Sequence, residues 1–399
     1  MWSLIFDRCR AAPSSMCLLR PRRVAFFCMV LLFALIPVLS VPMSHVAADS
    51  KRTGFFPHAI SVADFNNDGH LDMVVPASAE RKVTVLLGDG KGGIMANHAY
   101  PVGQGPTWVE IADFNGDGNI DLVTTNTGGA SLTIYFGDGQ GNFAGRQEIR
   151  EIHGPASVVA ADFNRDSQPD LAVAQAAKSK VAILLNRGKG KMALAHSYKV
   201  DRGPHILSKT DLNKDRIPDL VVGSLGPHTL SVLLGKGDAT FNDPIAVSVG
   251  RFPHYRAFGD WNGDGHTDVA VVAAGEDAVE VLLGDGSGKL RKTVSYPVGS
   301  NPHGLDAGDF NGDGHKDLAI SNRSSRDLHI LLGNGAGAFL PSSPMSTGQD
   351  VIALAVGDFD EDKRADLALV SATSHVVILF RGDGTGYFKP FPEQKTEKQ

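Results

Sequence analysis

The chain has 399 residues, a formal net charge of −6 and an apolar fraction of 42%, with 45 glycines. So many glycines are typical of folds with tight turns between short strands. Acidic residues outnumber basic ones and no basic patch stands out. We therefore expect no nucleic-acid partner.

The first 48 residues differ from the rest. Three arginines precede an apolar run over 24–42, and small residues at Val46 and Ala48 suit a cleavage site. This order predicts a signal peptide, and the length of the run leaves an uncleaved signal anchor as an open alternative. Both interpretations place residues 49–399 outside the cytoplasm, whether secreted, periplasmic or at the cell surface. We expect the protein to associate with a membrane only if this anchor remains uncleaved.

All three cysteines lie in this leader, at Cys9, Cys17 and Cys28. Disulfides therefore cannot tie down the exported part. Without residues 1–48 the chain keeps 33 basic and 43 acidic residues, a net charge of about −10. Another kind of crosslink is expected to hold its loops.

An acidic motif recurs seven times at a constant step of 49 residues. The copies are "DFNNDGHLD" at 64, "DFNGDGNID" at 113, "DFNRDSQPD" at 162, "DLNKDRIPD" at 211, "DWNGDGHTD" at 260, "DFNGDGHKD" at 309 and "DFDEDKRAD" at 358. A glycine-rich column beginning with "GDGKGG" at 88 keeps the same step. A fixed period of this size over 54–396 indicates a solenoid, an array or a propeller.

Each unit contains four short β-rich runs separated by Gly, Asn and Asp turns. In the sixth unit these runs are "HGLDAG", "DLAISN", "DLHILL" and "FLPSSPMST". No segment has a helical period of useful length. Seven such units predict an all-β fold over 49–399, a seven-bladed β-propeller of four-stranded antiparallel blades.

Each acidic loop has oxygen-bearing side chains at loop positions 1, 3, 5 and 9, and position 7 offers its carbonyl. Hard oxygen donors in a flexible loop suit Ca²⁺. A polar turn with Asx-type hydrogen bonds is the alternative, but three carboxylates at fixed spacing repel one another without a counterion. The sequence therefore predicts up to seven calcium sites. The predicted ligand positions are Asp64, Asn66, Asp68, His70, Asp72, Asp113, Asn115, Asp117, Asn119, Asp121, Asp162, Asn164, Asp166, Gln168, Asp170, Asp211, Asn213, Asp215, Ile217, Asp219, Asp260, Asn262, Asp264, His266, Asp268, Asp309, Asn311, Asp313, His315, Asp317, Asp358, Asp360, Asp362, Arg364 and Asp366.

Loop position 6 divides the loops into two groups. It is glycine in blades 1, 2, 5 and 6, whereas blades 3, 4 and 7 carry Ser167, Arg216 and Lys363 there. A non-glycine residue held at positive φ costs about 1 kcal/mol. We therefore expect weaker calcium binding in the loops at 162, 211 and 358. In the last of these, Lys363 and Arg364 also lie beside four carboxylates.

The "DxNxDGxxD" loops, followed by segments such as "LLGDG", resemble FG-GAP/VCBS repeats, the calcium-loop propeller blades also found in integrin α subunits. The resemblance covers residues 54–396. It implies a seven-bladed propeller with calcium in the hairpin between strands A and B of each blade. It also implies that ligands bind on the opposite face. The Phe-Gly…Gly-Ala-Pro signature is absent, so the chain is more similar to the VCBS branch than to integrins.

By the same resemblance, the loop before strand A lies on that opposite, upper face, near the central channel. The candidate ligand-binding residues there are His58, Trp108, His205, His254, Tyr255, Arg256 and His303. They fit a polar pocket for a sugar, a peptide or a second metal. Alternatively, the histidines form hydrogen bonds between neighbouring blades.

These observations favour an exported, calcium-binding module that recognises or adheres to a protein or a glycan. The alternative is a propeller-fold lyase or hydrolase that uses the upper-face histidines and arginine. We assign no catalytic residue, because the sequence shows no triad, no nucleophile elbow and no divergent blade. The adhesion tripeptide "RGD" at 381–383 lies in a repeated turn, and we interpret it as a coincidence.

Two segments compete for the outer strand of the last blade. Residues 389–396 and residues 46–53 both stand in register with "LPSSPMST" of blade 6. We predict closure by 389–396, because that segment directly follows its own blade's turn and has Phe391 to bury.

Overall fold

The computed structural model of the protein describes residues 51–54 and 56–392. The predicted leader over 1–48 lies outside the described residues. Within the described part, no helix is both long and apolar enough to cross a membrane. The regular structure there is strand, apart from three single-turn 3₁₀ helices at Thr127–Gly129, Ala176–Lys178 and Ala274–Glu276.

The strands form seven blades, each named A to D from the centre outward. Blade 1 consists of Ser61–Ala63, Asp72–Ala77, Lys82–Gly88 and Ile94–Pro101. Blade 2 consists of Pro106–Ala112, Asp121–Asn126, Ser131–Gly137 and Phe143–Arg150. Blade 3 consists of Pro155–Ala161, Asp170–Gln175, Lys180–Asn186 and Met192–Lys199. Blade 4 consists of Pro204–Thr210, Asp219–Ser224, Thr229–Leu233 and Ile245–Ser248. Blade 5 consists of Pro253–Gly259, Asp268–Ala273, Ala278–Gly284 and Leu290–Pro297. Blade 6 consists of Pro302–Gly308, Asp317–Asn322, Asp327–Gly333, Phe339–Pro341 and Met345–Ser346. Blade 7 consists of Val351–Gly357, Asp366–Ser371, Val376–Gly382, Phe388–Pro390 and Lys51–Arg52.

Each blade is an antiparallel sheet in which strand A pairs with B, B with C and C with D. The innermost strands of neighbouring blades contact one another, and strand A of blade 7 contacts strand A of blade 1. The ring is therefore closed, and closure protects the sheet edges from pairing with other chains. The predicted seven-bladed propeller of four-stranded blades is confirmed.

One apolar cluster fills each of the seven interfaces between neighbouring blades in the described chain. Strand B is buried along its whole length in every blade, so its alternating side chains reach both neighbouring blades. The residue at loop position 2, which is aromatic in six blades and Leu212 in blade 4, joins the same core. Phe65 of blade 1, for example, meets Phe143 of blade 2 edge-on, with 5.7 Å between the ring centroids. Burying one such ring contributes about 2 kcal/mol.

Both chain ends contribute to the outer strand of blade 7. Phe388–Pro390 pairs with one half of strand C, and Lys51–Arg52 pairs with the other half. Each segment supplies one half of the outer strand, so the predicted closure by residues 389–396 rather than by 46–53 is correct for one half and wrong for the other. Blade 6 explains the result, because its own fourth strand is also split, with Met345–Ser346 in the place that Lys51–Arg52 takes in blade 7. The N-terminal segment replaces that second half in the same register.

The candidate calcium loops and the upper-face cavity

The seven acidic loops share one backbone conformation. Position 6 has positive φ in every loop, from 89° at Gly69 to 65° at Ser167, 63° at Arg216 and 70° at Lys363. This is the strained conformation expected for the three non-glycine loops. Position 4 also has positive φ throughout, including Glu361 at 60°, a requirement that sequence reasoning missed.

The side chains at positions 1, 3 and 5 are gathered by the loop's own backbone. In blade 6, the N–H of Gly314 donates to Asp309 Oδ2 at 3.0 Å, and the N–H of His315 donates to Asp313 Oδ1 at 2.8 Å. The amide of Asn311 donates to Asp313 Oδ2 at 2.9 Å. The first two contacts recur in all seven loops. These bonds fix the side chains of positions 1 and 5 in the same way in every loop, whereas in the described chain three of the predicted carboxylates lie within 4.8 Å of one another only in blade 7.

The aspartate at position 9 has a second, structural role that the sequence did not indicate. Asp317 is fully buried, and its two oxygens accept hydrogen bonds from the N–H groups of Phe310 at 2.8 Å and Gly333 at 2.7 Å. The same two contacts recur in every blade. Burial raises the pKa of this carboxyl, to about 6 for Asp72. Position 9 therefore ties the acidic loop to the end of strand C.

In blade 7 an arginine side chain lies against the acidic loop. One oxygen each of Asp358, Asp360 and Asp366 lies within 4.8 Å of the other two. Arg381 lies beside this group, with its Nε 2.7 Å from Asp360 Oδ2 and its Nη2 donating to Asp362 Oδ2 at 2.8 Å. The other six blades have Leu or Phe at the position of Arg381. The arginine of the "RGD" tripeptide is therefore bound to the acidic loop.

The donor set of these loops fits a calcium ion. The side chains at positions 1, 3 and 5 offer only carboxylate and amide oxygens, and they lie at or near the surface. Nitrogen or sulfur donors would indicate a softer metal. Positions 1, 3, 5 and 9, with the carbonyl of position 7, are the atoms that would hold the ion.

We predict that Arg381→Leu gives the blade 7 loop a calcium site comparable to the others. Without the Arg381 guanidinium, the four carboxylates lose their closest counter-charge and keep only Arg364, 3.9 Å from Asp362 Oδ2, so their attraction for a divalent cation increases. Calorimetric titration of the full chain should then count one additional calcium ion per chain. Arg150→Leu is the matched control, because Arg150 is 77% exposed and lies on an outer strand. An unchanged stoichiometry in Arg381→Leu would show that the guanidinium does not compete with the ion.

On the upper face, six of the seven candidate ligand-binding residues line one cavity of about 270 Å³. The six are His58, Trp108, His205, His254, Tyr255 and His303. They come from five different blades and meet at the channel mouth, because equivalent positions of a closed ring converge on its axis. The wall also contains Phe56, Thr107, Ile352 and Arg323, together with Pro57, Ala156, Ile206 and Ala372.

Three of the imidazoles form a row. The ring centroids are 5.7 Å apart between His205 and His254 and 4.3 Å apart between His254 and His303. Burial lowers the pKa of His205 and His303 to about 4 and that of His254 to about 2, so all three are neutral at pH 7. His303 Nδ1–H donates to the carbonyl of Ile352 in the next blade at 2.6 Å. The predicted bond between blades thus exists for His303, whereas Nδ1 of His205 and of His254 has no partner in the described chain.

Two aromatic side chains close the channel mouth below the histidines. Tyr255 of blade 5 crosses to blade 1, where its hydroxyl donates to the carbonyl of His58 at 3.1 Å. Trp108 packs against the Tyr255 ring at 5.5 Å, with 31° between the ring planes. Burial raises the pKa of the Tyr255 hydroxyl, so it remains a hydrogen-bond donor at neutral pH. The pair gives the cavity an apolar, aromatic surface.

Arg256 does not line the cavity, which corrects its assignment as a ligand-binding residue. Its guanidinium is buried between blades 4 and 5, where it donates to the carbonyls of Ile206 at 3.0 Å and Val221 at 2.9 Å. Burial lowers its pKa to about 9. The alternation of side chains along strand A sends Tyr255 toward the channel and the next residue into the blade interface.

Arg323 is the cavity residue that sequence reasoning missed. It lies between strands B and C of blade 6, and the six equivalent positions hold Ser, Thr, Ala or Leu. Because the residues at the other six equivalent positions are uncharged, the single charged residue could have been identified from the sequence. Its guanidinium is the one permanent positive charge among the described residues of the cavity wall.

The fold and the loops together define a class of protein, a β-propeller whose blades each carry an acidic A–B loop. The family model described as "FG-GAP-like repeat" matches residues 64–124, 113–173, 211–271, 260–320 and 309–369. These matches span most of the chain. The chain therefore belongs to the FG-GAP-like repeat family.

Solved structures share the fold at low sequence identity. BBS1N in complex with ARL6DN has a TM-score of 0.61 and 14% identity, covering 86% of this chain and 96% of that one. An Agrocybe aegerita lectin specific for non-reducing terminal N-acetylglucosamine has a TM-score of 0.55 and 17% identity, covering 86% and 91%. Catalytically inactive H270A virginiamycin B lyase from Staphylococcus aureus, with quinupristin, has a TM-score of 0.55 and 11% identity, covering 84% and 95%. No curated protein matches the chain significantly.

Proposed function

We propose that this protein is an exported, calcium-binding propeller that recognises a protein or a glycan through its upper face. The observation that carries the proposal is the cavity of about 270 Å³ in which six of the predicted ligand-binding residues meet. Concave sites at the mouth of a barrel or channel, with a few polar groups in an aromatic wall, are typical of ligand binding. The complex of BBS1N with ARL6DN and the lectin are examples of propeller-fold structures that bind a protein and a sugar.

In this proposal calcium is structural. The loops of blades 1, 2, 5 and 6 bind it most tightly, and those at 162 and 211 bind it more weakly because their position 6 is strained. The loop at 358 is the weakest, since Arg381 already contacts two of its carboxylates. Up to seven ions thus hold the loops of a chain that has no cysteine beyond residue 28.

The proposal includes the location of the protein. Residues 1–48 act as a cleaved signal peptide or as an uncleaved signal anchor, and the propeller lies outside the cytoplasm. Extracytoplasmic calcium is abundant enough to keep oxygen-ligand sites of moderate affinity occupied.

A lyase or hydrolase remains the second candidate, and one observation favours it. His254 lies in the cavity wall and is neutral at pH 7, so its imidazole can contact a bound substrate without carrying a charge. One solved propeller with this fold is a lyase that a histidine substitution inactivates. Release of a reaction product that depends on His254 would distinguish an enzyme from a binding module.

The test is binding of the full chain, in calcium, to a printed array of neutral and acidic glycans. We expect Trp108→Ala and His254→Gln to abolish the wild-type signals, whereas Arg251→Gln leaves them unchanged. Arg251 is a fair control because it also lies on a loop before strand A and is 61% exposed. If the array signals persist in both cavity variants, the recognition site lies outside this cavity. Mass-spectrometric detection of cleaved glycan, lost in His254→Gln, would favour the enzyme.

A further inference from the structure

The upper-face cavity carries one permanent positive charge, that of Arg323, beside imidazoles that burial keeps neutral at pH 7, on a protein that is acidic overall. Its wall contains one guanidinium and four imidazoles but no carboxylate among the described residues. A second guanidinium, that of Arg256, is buried behind the histidine row. Burial first, then the neighbouring histidines, and after them the charge of Arg256, lower the pKa of His254 and of His205. A cleft with one sign of charge and low-dielectric walls attracts ligands of the opposite sign.

Arg323 is held so that it can face a ligand. Its Nε lies 3.9 Å from Asp350 Oδ2, and its side chain is 45% exposed. The Asp350 carboxylate itself is nearly buried and accepts hydrogen bonds from the hydroxyls of Ser371 at 2.9 Å and Thr373 at 2.6 Å. At 3.9 Å the pair is an ion pair without a hydrogen bond, so Asp350 leaves the N–H donors of the Arg323 guanidinium available. Two of these donors match the two oxygens of a carboxylate.

The rest of the wall is apolar and aromatic. Trp108 and Tyr255 present neighbouring rings, and Phe56 and Ile352 add apolar surface. A volume of about 270 Å³ is small for a ligand site and suits one sugar ring or one aromatic acid, or the end group of a longer chain. Aromatic rings pack well against flat apolar faces of such ligands.

The same wall is less suited to two other kinds of ligand. An ammonium group would find no carboxylate partner among the cavity residues. A transition metal would need imidazole nitrogens pointing at one position, but His254 and His303 lie ring against ring at 4.3 Å. The described chain contains no group of three histidines whose donor atoms lie within 4.8 Å of one another. The second metal suggested for this face is therefore not supported.

We propose that the upper-face cavity binds a carboxylate ligand with a flat apolar face, the carboxylate against Arg323 and the apolar face against Trp108 and Tyr255. The inference rests on the proposed function, because it names the ligand chemistry of the same recognition site. Uronate sugars and aromatic acids both have this chemistry.

The experiment follows ¹³C-labelled histidine side chains of the full chain by NMR while three probes are added at equal ionic strength. The probes are methyl β-D-glucuronide, methyl β-D-glucoside and benzoate. At millimolar concentrations we expect glucuronide, benzoate or both to shift the resonances of His254 and His303, whereas the glucoside does not. The tighter of the two acids identifies the source of the carboxylate. Arg323→Gln should weaken binding by about tenfold or more, and Arg251→Gln should leave it unchanged.

Three outcomes would overturn the inference. Equal binding of the glucoside and the glucuronide, lost in Trp108→Ala, would leave the proposed recognition site intact but remove the requirement for a carboxylate. Unchanged affinity in Arg323→Gln, with an unchanged melting temperature, would remove the assigned partner of the carboxylate. Absence of shifts with all three probes would reject the ligand class, and the glycan array would then decide the proposed function independently.

Discussion

Removal of calcium with EDTA should lower the melting temperature of the full chain by more than about 10 °C. Each site that binds only the folded state adds about 2.7 kcal/mol at a hundredfold excess of free ion over Kd. The four loops with glycine at position 6 alone would then contribute about 11 kcal/mol, a large fraction of the stability of any domain. Scanning calorimetry in calcium and in EDTA measures the difference.

Two features make this expected result specific for calcium. Restoring calcium should restore the melt, whereas magnesium should restore it only in part, because Mg²⁺ requires near-octahedral geometry and dehydrates reluctantly. Arg381→Leu should enlarge the calcium-dependent shift. Identical melting curves in calcium and EDTA would reject calcium as the crosslink that replaces disulfides.

The second large effect is expected at loop position 9. Asp317→Ala should destabilise the protein by about 2–6 kcal/mol in EDTA, and by more in calcium because position 9 is also a proposed calcium ligand. The substitution leaves the N–H groups of Phe310 and Gly333 buried without an acceptor, and each such group costs about 1–3 kcal/mol. Urea unfolding of the full chain in both buffers measures the change.

The matched control is Asp313→Ala in the same loop. Asp313 is exposed, and water can replace its contact with the backbone of His315. Its loss should therefore destabilise the protein in calcium but not in EDTA. If Asp317→Ala behaves like Asp313→Ala, position 9 acts only through the ion, and the second role assigned to it is wrong.

The sequence was sufficient to predict the fold because the period of 49 residues marks every blade, and the turn residues within it mark the strands. It also predicted which side chains of the upper face would meet. His58, His254 and His303 occupy equivalent positions, and equivalent positions converge in a closed ring whatever the detailed packing.

Contacts that depend on side-chain direction, within a blade or between blades, could not be predicted in the same way. Arg256 was assigned to the cavity because it follows Tyr255, but the two residues face opposite sides of the strand. Arg381 reaches back to Asp360 across its own blade, a contact that depends on side-chain direction rather than on spacing. The split outer strand of blade 7 likewise depends on how blade 6 completes its own sheet. Each of these features is decided by packing between strands, which a repeat period does not encode.

The most direct test of the account is the location of the ions themselves, by anomalous X-ray diffraction from crystals of the full chain grown in calcium. We predict peaks between positions 1, 3, 5 and 9 of the loops at 64, 113, 260 and 309, weaker peaks at 162 and 211, and the Arg381 guanidinium against Asp360 and Asp362 in the loop at 358. Loops that contain only water, with the amide of Asn311 still bonded to Asp313, would contradict the claim that calcium holds this propeller together.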